Sequence, residues 1–231
     1  MDIYLDCADS AQWTLPAGCP PVVGVTTNPS LVFQTGLSVT LATYERLIHA
    51  ASAHGMAQLM VQLPSADVAQ AQAWVAALQN TAAKAGVQLT IKLPCLAGWL
   101  PCIQAVQALD QAVLLTGLSN PVQLLWAQSL GVDYVAPYVG RLAADTANGG
   151  RDVWALMQAC VVAQNSAMPK AGPKLLAASI KSPDVLSRLF ALGAAAVTLP
   201  PASLVAWSHD AVTDAAVAQF ERDIAASLTL A

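Results

Sequence analysis

Eight short apolar runs alternate with longer segments of helical composition, and this alternation constrains the fold more than any other feature of the chain. Each run is short enough for a buried strand. The segments between them, such as Ala66–Ala85, Leu96–Leu109 and Pro121–Leu130, are rich in Ala, Leu and Gln, which favour helix. Strands that alternate with helices pair in parallel through right-handed crossovers. The runs are Ile3–Asp6, Val22–Thr26, Gln58–Leu63, Gln88–Leu93, Ala112–Thr116, Tyr134–Pro137, Lys174–Ala178 and Ala195–Leu199.

The pattern predicts an α/β fold, a single-domain (β/α)8 TIM barrel over residues 1–231. Such barrels typically have about 250 residues, so eight units fit tightly in this chain. The alternative is a doubly wound open sheet. Its dinucleotide-binding version needs a GxGxxG fingerprint after the first strand, which is absent, and Gly149–Gly150 is interpreted as a loop. A last helix, at about 210–227, is a candidate for packing on a neighbouring subunit.

The composition narrows the class of partner. Only 10% of the residues are charged, against about 25% in an average protein. The net charge of −4 argues against a nucleic-acid partner, which needs a basic stripe. The sequence contains no run of about 20 apolar residues, so we expect no membrane-spanning helix. Asp2 and Asp6 near the N-terminus do not fit a signal peptide, so we expect a cytoplasmic protein. The low fraction of charged residues also suggests that the folded chain has an apolar surface, which the contacts of a homo-oligomer would cover.

The cysteines and histidines predict neither disulfides nor a metal site. The five cysteines are odd in number and contain no CxxC pair, which is typical of reduced thiols. His49 and His54 are five residues apart, and the chain contains no HExxH motif. Cys7 and Cys95 lie close in sequence to Asp6 and Lys92, and we interpret both cysteines as small buried hydrophobic residues.

Polar residues gather where the predicted strands end. Catalytic groups of barrel enzymes occupy the C-terminal ends of the strands. Each residue also has an ordinary structural explanation, as a cap, a turn former, a hydrogen-bonded buried group or an ion-pair member, so position alone leaves both readings open. The residues are Asp6, Thr26, Asn28, Gln62, Lys92, Thr116, Tyr138, Arg141, Ser179 and Lys181.

Lys92 stands out because it lies inside an apolar, β-branched run, Leu89–Pro94. A buried lysine is costly unless it is paired or functional. Desolvation lowers the pKa of such a lysine, and the neutral amine can attack a carbonyl to form a Schiff base. The alternative is a lysine on an edge strand that points to water.

Five motifs in order along the chain resemble the transaldolase family. They are Tyr4–Asp6, Gly24–Ser30, Ile91–Pro94, Ala136–Arg141 and Leu176–Lys181. The match is nearest to the short branch of that family, which includes fructose-6-phosphate aldolases. The string GVTTNPS followed by a strand lysine is the most specific part. The resemblance spans nearly the whole chain.

The resemblance implies a barrel that works without a cofactor on a sugar phosphate and an aldehyde, and that assembles as pentamers or paired pentamers. It implies that Lys92 forms the Schiff base. It further implies that Asp6 handles the proton of the hydroxyl that becomes the new aldehyde. The other implied roles are contacts to the dihydroxyacetone hydroxyls by Thr26 and Asn28, orientation of a catalytic water by Gln62 and Thr116, and phosphate binding by Arg141, Ser179 and Lys181.

Three positions distinguish the aldolase members of this family from the transferase members. Gln62, Ala136 and Tyr138 resemble the aldolase members, whereas the transferase members have Glu at the first position and Ser-Pro-Phe around the other two. An aldolase must protonate the enamine left after cleavage. A tyrosine hydroxyl can hold the water that supplies this proton, whereas phenylalanine cannot. This argument favours an aldolase, with a transaldolase as the alternative.

Two segments depart from the family pattern, Pro94–Trp99 beside the lysine and Leu118–Pro121 after the next strand. A change so close to Lys92 suggests a divergent substrate or reduced activity. The third hypothesis is therefore a catalytically reduced barrel that binds sugar phosphates.

Overall fold

The computed structural model describes residues 1–145, 152–166 and 172–229, and its eight strands close into a parallel barrel. The strands pair in chain order, and β8 pairs with β1 to complete the ring. The predicted (β/α)8 barrel is therefore confirmed. The strands are β1 Asp2–Asp6, β2 Gly24–Thr26, β3 Gln58–Gln62, β4 Gln88–Pro94, β5 Val113–Leu118, β6 Tyr134–Pro137, β7 Lys174–Ala177 and β8 Ala196–Leu199.

The helices follow the strands as predicted, with differences at their starts. The predicted Gly149–Gly150 loop lies outside the described residues. The helices are α1 Pro29–Gln34, α2 Leu41–Ala53, α3 Val68–Ala85, α4 Leu100–Gln107, α5 Pro121–Leu130, α6 Val139–Ala144, α7 Val153–Gln164, α8 Pro183–Leu192, α9 Pro201–Trp207 and α10 Ala211–Ser227.

Local chemistry explains the shifted helix boundaries. The prediction began α3 at Ala66, but the Asp67 side chain accepts a hydrogen bond from the Gln70 amide and so caps a helix that begins at residue 68. The predicted segment Leu96–Leu109 opens with a 3-10 turn and becomes α-helical only at residue 100. Pro101 then occupies the first turn, where its missing N–H leaves no bond unmade.

Strand β2 is shorter than predicted because it begins at Gly24 rather than at Val22. A Cβ atom on Gly24 would lie 2.0 Å from the backbone oxygen of Gln58. Glycine is therefore what allows β2 to approach β3 this closely.

The barrel interior contains an apolar layer above a polar floor. The apolar layer comprises Met60, Leu114, Ala136, Leu176 and Ala196, with Tyr4 at its lower edge. We define the floor as Tyr4, Gln58 and Thr90. The Tyr4 hydroxyl donates to Gln58 Oε1 over 2.6 Å, and Gln58 Nε2 donates to Thr90 Oγ1 over 2.7 Å. The catalytic end of a barrel is the opposite end, where the strands terminate.

Helix α10 differs from the other long helices because none of its residues is buried. Val217, Phe220, Ile224 and Leu228 are all exposed and follow a spacing of three and four residues, so they share one face of the helix. Within the described part of the chain, no helix is long and apolar enough to cross a bilayer.

Candidate active site

A cavity of about 830 Å³ opens at the C-terminal ends of the strands. Of the ten residues that the sequence singles out, nine line this cavity. They are Asp6, Asn28, Gln62, Lys92, Thr116, Tyr138, Arg141, Ser179 and Lys181. The tenth, Thr26, is completely buried and is not among the lining residues. The strand ends therefore bring together side chains that are up to 175 residues apart in the sequence.

Lys92 lies in the interior of the barrel and is only 6% exposed. It pairs with Gln62 on β3 and with Leu114 on β5, so its strand has neighbours on both sides. The edge-strand interpretation of Lys92 is therefore wrong, because a closed barrel has no edge. Burial lowers the pKa of the Lys92 ammonium, and the negative charge of Asp6 opposes this shift. A larger share of neutral amine makes Lys92 a better nucleophile.

Asp6 is held by a hydroxyl from the neighbouring strand. Thr26 Oγ1 donates to Asp6 Oδ1 over 3.0 Å. The same Thr26 oxygen lies 2.7 Å from Thr198 Oγ1 on β8. The side-chain contacts that the structure gives Thr26 are thus with Asp6 and Thr198, and its predicted contact with substrate hydroxyls stays a prediction.

Asn28 caps a helix and also lines the cavity. Its side-chain oxygen accepts the Leu31 amide and caps α1, with Pro29 at the first helical position. The oxygen is therefore engaged, and the amide nitrogen is the part of Asn28 that remains for a ligand in the cavity.

On the opposite wall, Tyr138 and Thr116 form a hydroxyl pair. The two side-chain oxygens are 2.7 Å apart. The pairing of β5 with β6 is irregular between Thr116 and Leu118, where Gly117 has a φ of +77°. A bulge of this kind turns the strand end and re-aims the neighbouring side chains. Gln62, which lines the same cavity, completes the set of polar groups predicted to hold a water.

Two exposed cations and a hydroxyl from the segments that follow β6 and β7 line the cavity. They are Arg141, Lys181 and Ser179. The Arg141 guanidinium carbon is 5.0 Å from the centre of the Tyr138 ring. Guanidinium groups suit phosphate oxygens because their donors form a planar fork.

Close packing between α6 and the loop after β7 brings this cluster together. Ser179 has a φ of +60°, which is uncommon for a residue other than glycine. A Cβ atom on Gly140 would lie 2.4 Å from the Ser179 carbonyl oxygen and 2.8 Å from Lys181 Cγ. The Gly140 amide instead donates to that carbonyl over 2.9 Å. Backbone strain held by surrounding contacts is a recurring property of ligand sites.

The charge of the cavity opposes that of the chain. Lys92, Arg141 and Lys181 line it together with the carboxylate Asp6, whereas the whole chain carries −4. Such a cavity attracts an anionic ligand. Across the described ranges, no three His, Cys, Asp or Glu side chains cluster as a metal site would require.

Neither of the two segments that depart from the family pattern contributes a residue to the lining of this cavity. None of the residues Pro94–Trp99 is among the cavity residues. Gln123 joins the two segments, because its Nε2 donates to the Cys95 carbonyl over 2.8 Å and its Oε1 accepts the Ser119 amide over 2.7 Å. Burial raises the pKa of the Cys95 thiol to about 11, which makes it a poor nucleophile. The segment Pro94–Trp99 therefore alters packing outside the cavity, whereas Leu118 and Ser119 line an adjoining pocket with Tyr138 and Arg141.

Sequence reasoning missed four residues of this region. Thr198, Ser30 and Gln34 line the cavity, and Gly140 permits its tight corner. Thr198 could have been found by the strand-end argument that selected Thr116, since it lies one residue before the end of the eighth run. Nothing in the spacing marks Gly140, because its role depends on a contact with Ser179.

The fold and the cavity together define a (β/α)8-barrel protein with a buried lysine and a cationic corner, formed by Arg141 and Lys181, at the strand ends. Comparison with protein families is consistent with this class. The family model described as Transaldolase/Fructose-6-phosphate aldolase matches residues 3–230. The chain belongs to this family.

Solved structures with the same fold are distant in sequence. The 3-hexulose-6-phosphate synthase of Salmonella typhimurium is 12% identical with a TM-score of 0.56, and the match covers 90% of this chain and 100% of that one. A flavocytochrome b2 variant with sulfite bound is 15% identical with a TM-score of 0.54, with 90% of this chain matched. The chain spans 58% of the length of that flavocytochrome. At such identities the likeness shows the barrel fold alone.

Proposed function

We propose that the protein is a Schiff-base, class I aldolase that interconverts fructose 6-phosphate with dihydroxyacetone and glyceraldehyde 3-phosphate. The observation that carries the proposal is Lys92, a buried lysine with a lowered pKa beside the carboxylate of Asp6 in an open cavity. The reaction needs no cofactor, because the lysine itself supplies the electron sink. A cytoplasmic location is part of the proposal.

In the first step, the neutral Lys92 amine attacks C2 of the open-chain sugar. The carbinolamine hydroxyl then takes up a proton from solvent and leaves as water, which produces an iminium ion. The lowered pKa of Lys92 favours this attack because the amine must be unprotonated. The positively charged iminium can then accept the electron pair of the bond that breaks.

In the second step, Asp6 takes the proton of the C4 hydroxyl. The C3–C4 bond breaks, its electron pair moves toward the iminium to form an enamine, and C4 becomes the aldehyde carbon of glyceraldehyde 3-phosphate. Thr26 supports Asp6 in this role, since its hydroxyl donates to the carboxylate and fixes one oxygen. Asn28 is proposed to hold a hydroxyl of the dihydroxyacetone unit.

In the third step, the enamine takes a proton at C3, and hydrolysis of the new iminium releases dihydroxyacetone and free Lys92. We assign the water that delivers this proton to the Tyr138 and Thr116 hydroxyl pair, together with Gln62. A phenylalanine at position 138 would remove one hydroxyl of the pair.

The substrate phosphate is assigned to Arg141, Ser179 and Lys181. Support comes from their common position in the lining of the cavity and from the positive charge that they add. Phosphate sites near the last strands recur in barrel enzymes.

Transaldolase activity is the second candidate, because the family includes both reactions. The two differ in the fate of the enamine, which a transaldolase keeps for an aldose phosphate. The Tyr138–Thr116 pair favours the aldolase. The catalytically reduced barrel stays a third hypothesis, although the departing segment Pro94–Trp99 on which it rests does not line the cavity.

Product partition tests the assignment. Purified protein is incubated with fructose 6-phosphate, with and without erythrose 4-phosphate, and free dihydroxyacetone and sedoheptulose 7-phosphate are quantified. We expect free dihydroxyacetone to dominate, and Tyr138→Phe to reduce its release about 100-fold, the lower end of the usual range for a group in proton transfer. Dominant transfer to erythrose 4-phosphate by the unmodified protein would reject the aldolase in favour of the transaldolase.

We also propose that the protein is a homo-oligomer in which α10 packs on a neighbouring subunit. The exposed apolar face of α10 supports this, since Phe220 is 61% exposed and Ile224 is 60% exposed. Light scattering on Phe220→Asp should show smaller particles than the unmodified protein. Arg222→Asp on the same helix is the matched control and should leave the mass unchanged. A monomeric unmodified protein at micromolar concentration would reject the proposal.

A further inference from the structure

Thr198 is a polar cavity residue to which the sequence motifs give no role. It lies on β8, faces the barrel interior and is only 2% exposed. It lines the same cavity as Asp6 and Lys92. Its oxygen is 2.7 Å from Thr26 Oγ1, although the two residues are 172 positions apart.

The two hydroxyls connect the strands on either side of Asp6. β1 pairs with β2 and with β8, so Thr26 and Thr198 lie on the two neighbours of the strand that ends at Asp6. Thr26 Oγ1 is 3.0 Å from Asp6 Oδ1. The three groups therefore form a chain from β8 to β2 and back to the end of β1.

The donor direction in this chain follows from valence. An ionised carboxylate only accepts hydrogen bonds, and a threonine hydroxyl has a single proton. While Asp6 is ionised, the proton of Thr26 must point to Asp6. The oxygen of Thr26 is then free only to accept, so the proton of Thr198 must point to Thr26.

We propose that Thr198 is a positioning residue for Asp6, acting through Thr26. By donating to Thr26, it stops the Thr26 hydroxyl from rotating away and keeps that proton on the carboxylate. Donors in a chain polarise one another, which strengthens the bond to Asp6. Asp6 is thereby held as an oriented acceptor for the proton of the substrate hydroxyl. This inference rests on the role proposed for Asp6 in the cleavage step.

A second consequence concerns the cavity wall. Because the proton of Thr198 is directed at Thr26, Thr198 presents only lone pairs to the cavity while Asp6 is ionised. The wall at this point accepts a hydrogen bond from a ligand hydroxyl and offers none.

The test compares Thr198→Val, which keeps the shape and removes the hydroxyl, with Thr198→Ser, which keeps the hydroxyl. We expect Thr198→Val to lower kcat for fructose 6-phosphate cleavage about tenfold, the effect of losing roughly one hydrogen bond. KM should change by less than about twofold, because Thr198 acts through Asp6 in the cleavage step. Thr198→Ser should restore kcat to within about twofold of the unmodified protein.

A matched control separates positioning from general packing. Thr43 is also buried, its hydroxyl donates to the Ser38 carbonyl over 2.8 Å, and it is not a cavity residue. Thr43→Val should lower thermal stability without lowering kcat. If Thr198→Val does not fold, as judged by circular dichroism, Thr198→Ala replaces it. An equal fall of kcat in Thr43→Val, or no rescue by Thr198→Ser, overturns the inference.

An infrared measurement decides the inference without turnover. In protein labelled with carboxyl-¹³C aspartate, the Asp6 carboxylate band is assigned by its loss in Asp6→Asn. At fixed neutral pH, Thr198→Val should shift this band and Thr198→Ser should leave it in place. An unshifted band in Thr198→Val overturns the inference. Absence of fructose 6-phosphate cleavage by the unmodified protein would reject the proposed function, and the band would still decide the role of Thr198.

Discussion

The floor of the barrel and its mouth, the cavity at the C-terminal ends of the strands, both contain buried polar side chains, but these side chains have different partners at the two ends. In the floor, Tyr4, Gln58 and Thr90 bond to one another. At the mouth, Lys92 is buried next to a cavity, with the charge of Asp6 acting on it. Buried polar groups that satisfy one another stabilise a fold. A buried ionisable group with a perturbed pKa in a cavity is typical of a functional site. The contrast predicts stability effects from the floor and activity effects from the mouth.

The largest expected effect is the loss of turnover in Lys92→Met. Methionine has a similar shape but no amine, so no Schiff base can form. We expect kcat to fall at least about 10⁴-fold, as when a catalytic nucleophile is removed from other enzymes. Steady-state assay of dihydroxyacetone release measures this. Lys84→Met, an exchange on α3 away from the cavity, should leave kcat unchanged. Retention of kcat within tenfold in Lys92→Met would remove Lys92 from the mechanism.

The next effect is on the cationic corner of the mouth. Arg141→Ala should raise KM for fructose 6-phosphate about 10- to 100-fold, because a charge-assisted contact to the phosphate is lost. Cleavage of unphosphorylated fructose should change little, which separates phosphate binding from damage to the catalytic groups. Arg46→Ala on α2 is the control. Equal losses with both substrates would place Arg141 outside the phosphate site.

A change in the floor should have the opposite signature. Gln58→Leu leaves the Tyr4 and Thr90 hydroxyls without their buried partner, at a cost of about 2–4 kcal/mol in the free energy of unfolding. Urea unfolding measures the loss. The kcat of the remaining folded protein should stay within about threefold, because the floor does not reach the cavity. A collapse of kcat at unchanged stability would abolish the distinction between floor and mouth.

The smallest expected effect is that of Lys92 on the thermal stability of the protein. Burial holds the pKa of Lys92 below its usual value of 10.5. Between the lowered pKa of Lys92 in the folded protein and its usual value of 10.5 in the unfolded chain, the unfolded chain binds more protons than the folded one. The free energy of unfolding should therefore rise with pH through that window. Lys92→Met removes the penalty and should raise Tm at pH 7, by about 2–4 °C for each kcal/mol recovered. Thermal scans should show this gain shrinking as pH approaches 10.5. A lower Tm in Lys92→Met would mean that Lys92 stabilises the fold.

The barrel could be predicted from sequence because its signals are local. Each of the eight apolar runs is a strand, and nine of the ten polar residues singled out at their ends line the cavity. Lys92 was ambiguous, because a single segment cannot reveal whether its strand has neighbours on both sides. The pairing of β4 with both β3 and β5 settles that question.

What could not be predicted depends on contacts between distant segments. The link between Thr26 and Thr198 exists only because the ring closes. The need for glycine at position 140 follows from its distance to Ser179. The departing segment Pro94–Trp99 follows Lys92 closely in sequence, whereas in the structure it is not among the cavity residues and Gln123 joins it to the segment after β5. Sequence proximity to a catalytic lysine is thus a poor guide to contact with its substrate.

Borohydride trapping tests the central claim most directly. The protein is incubated with fructose 6-phosphate and EDTA, reduced with borohydride, and analysed by intact mass and peptide mapping. We predict one stable adduct, on the peptide that contains Lys92, with the mass of the three-carbon unit or of the whole sugar phosphate. Lys92→Met should remain unlabelled. Folded protein that forms no adduct, or an adduct that maps to Lys181 or Lys174 instead, would contradict the account.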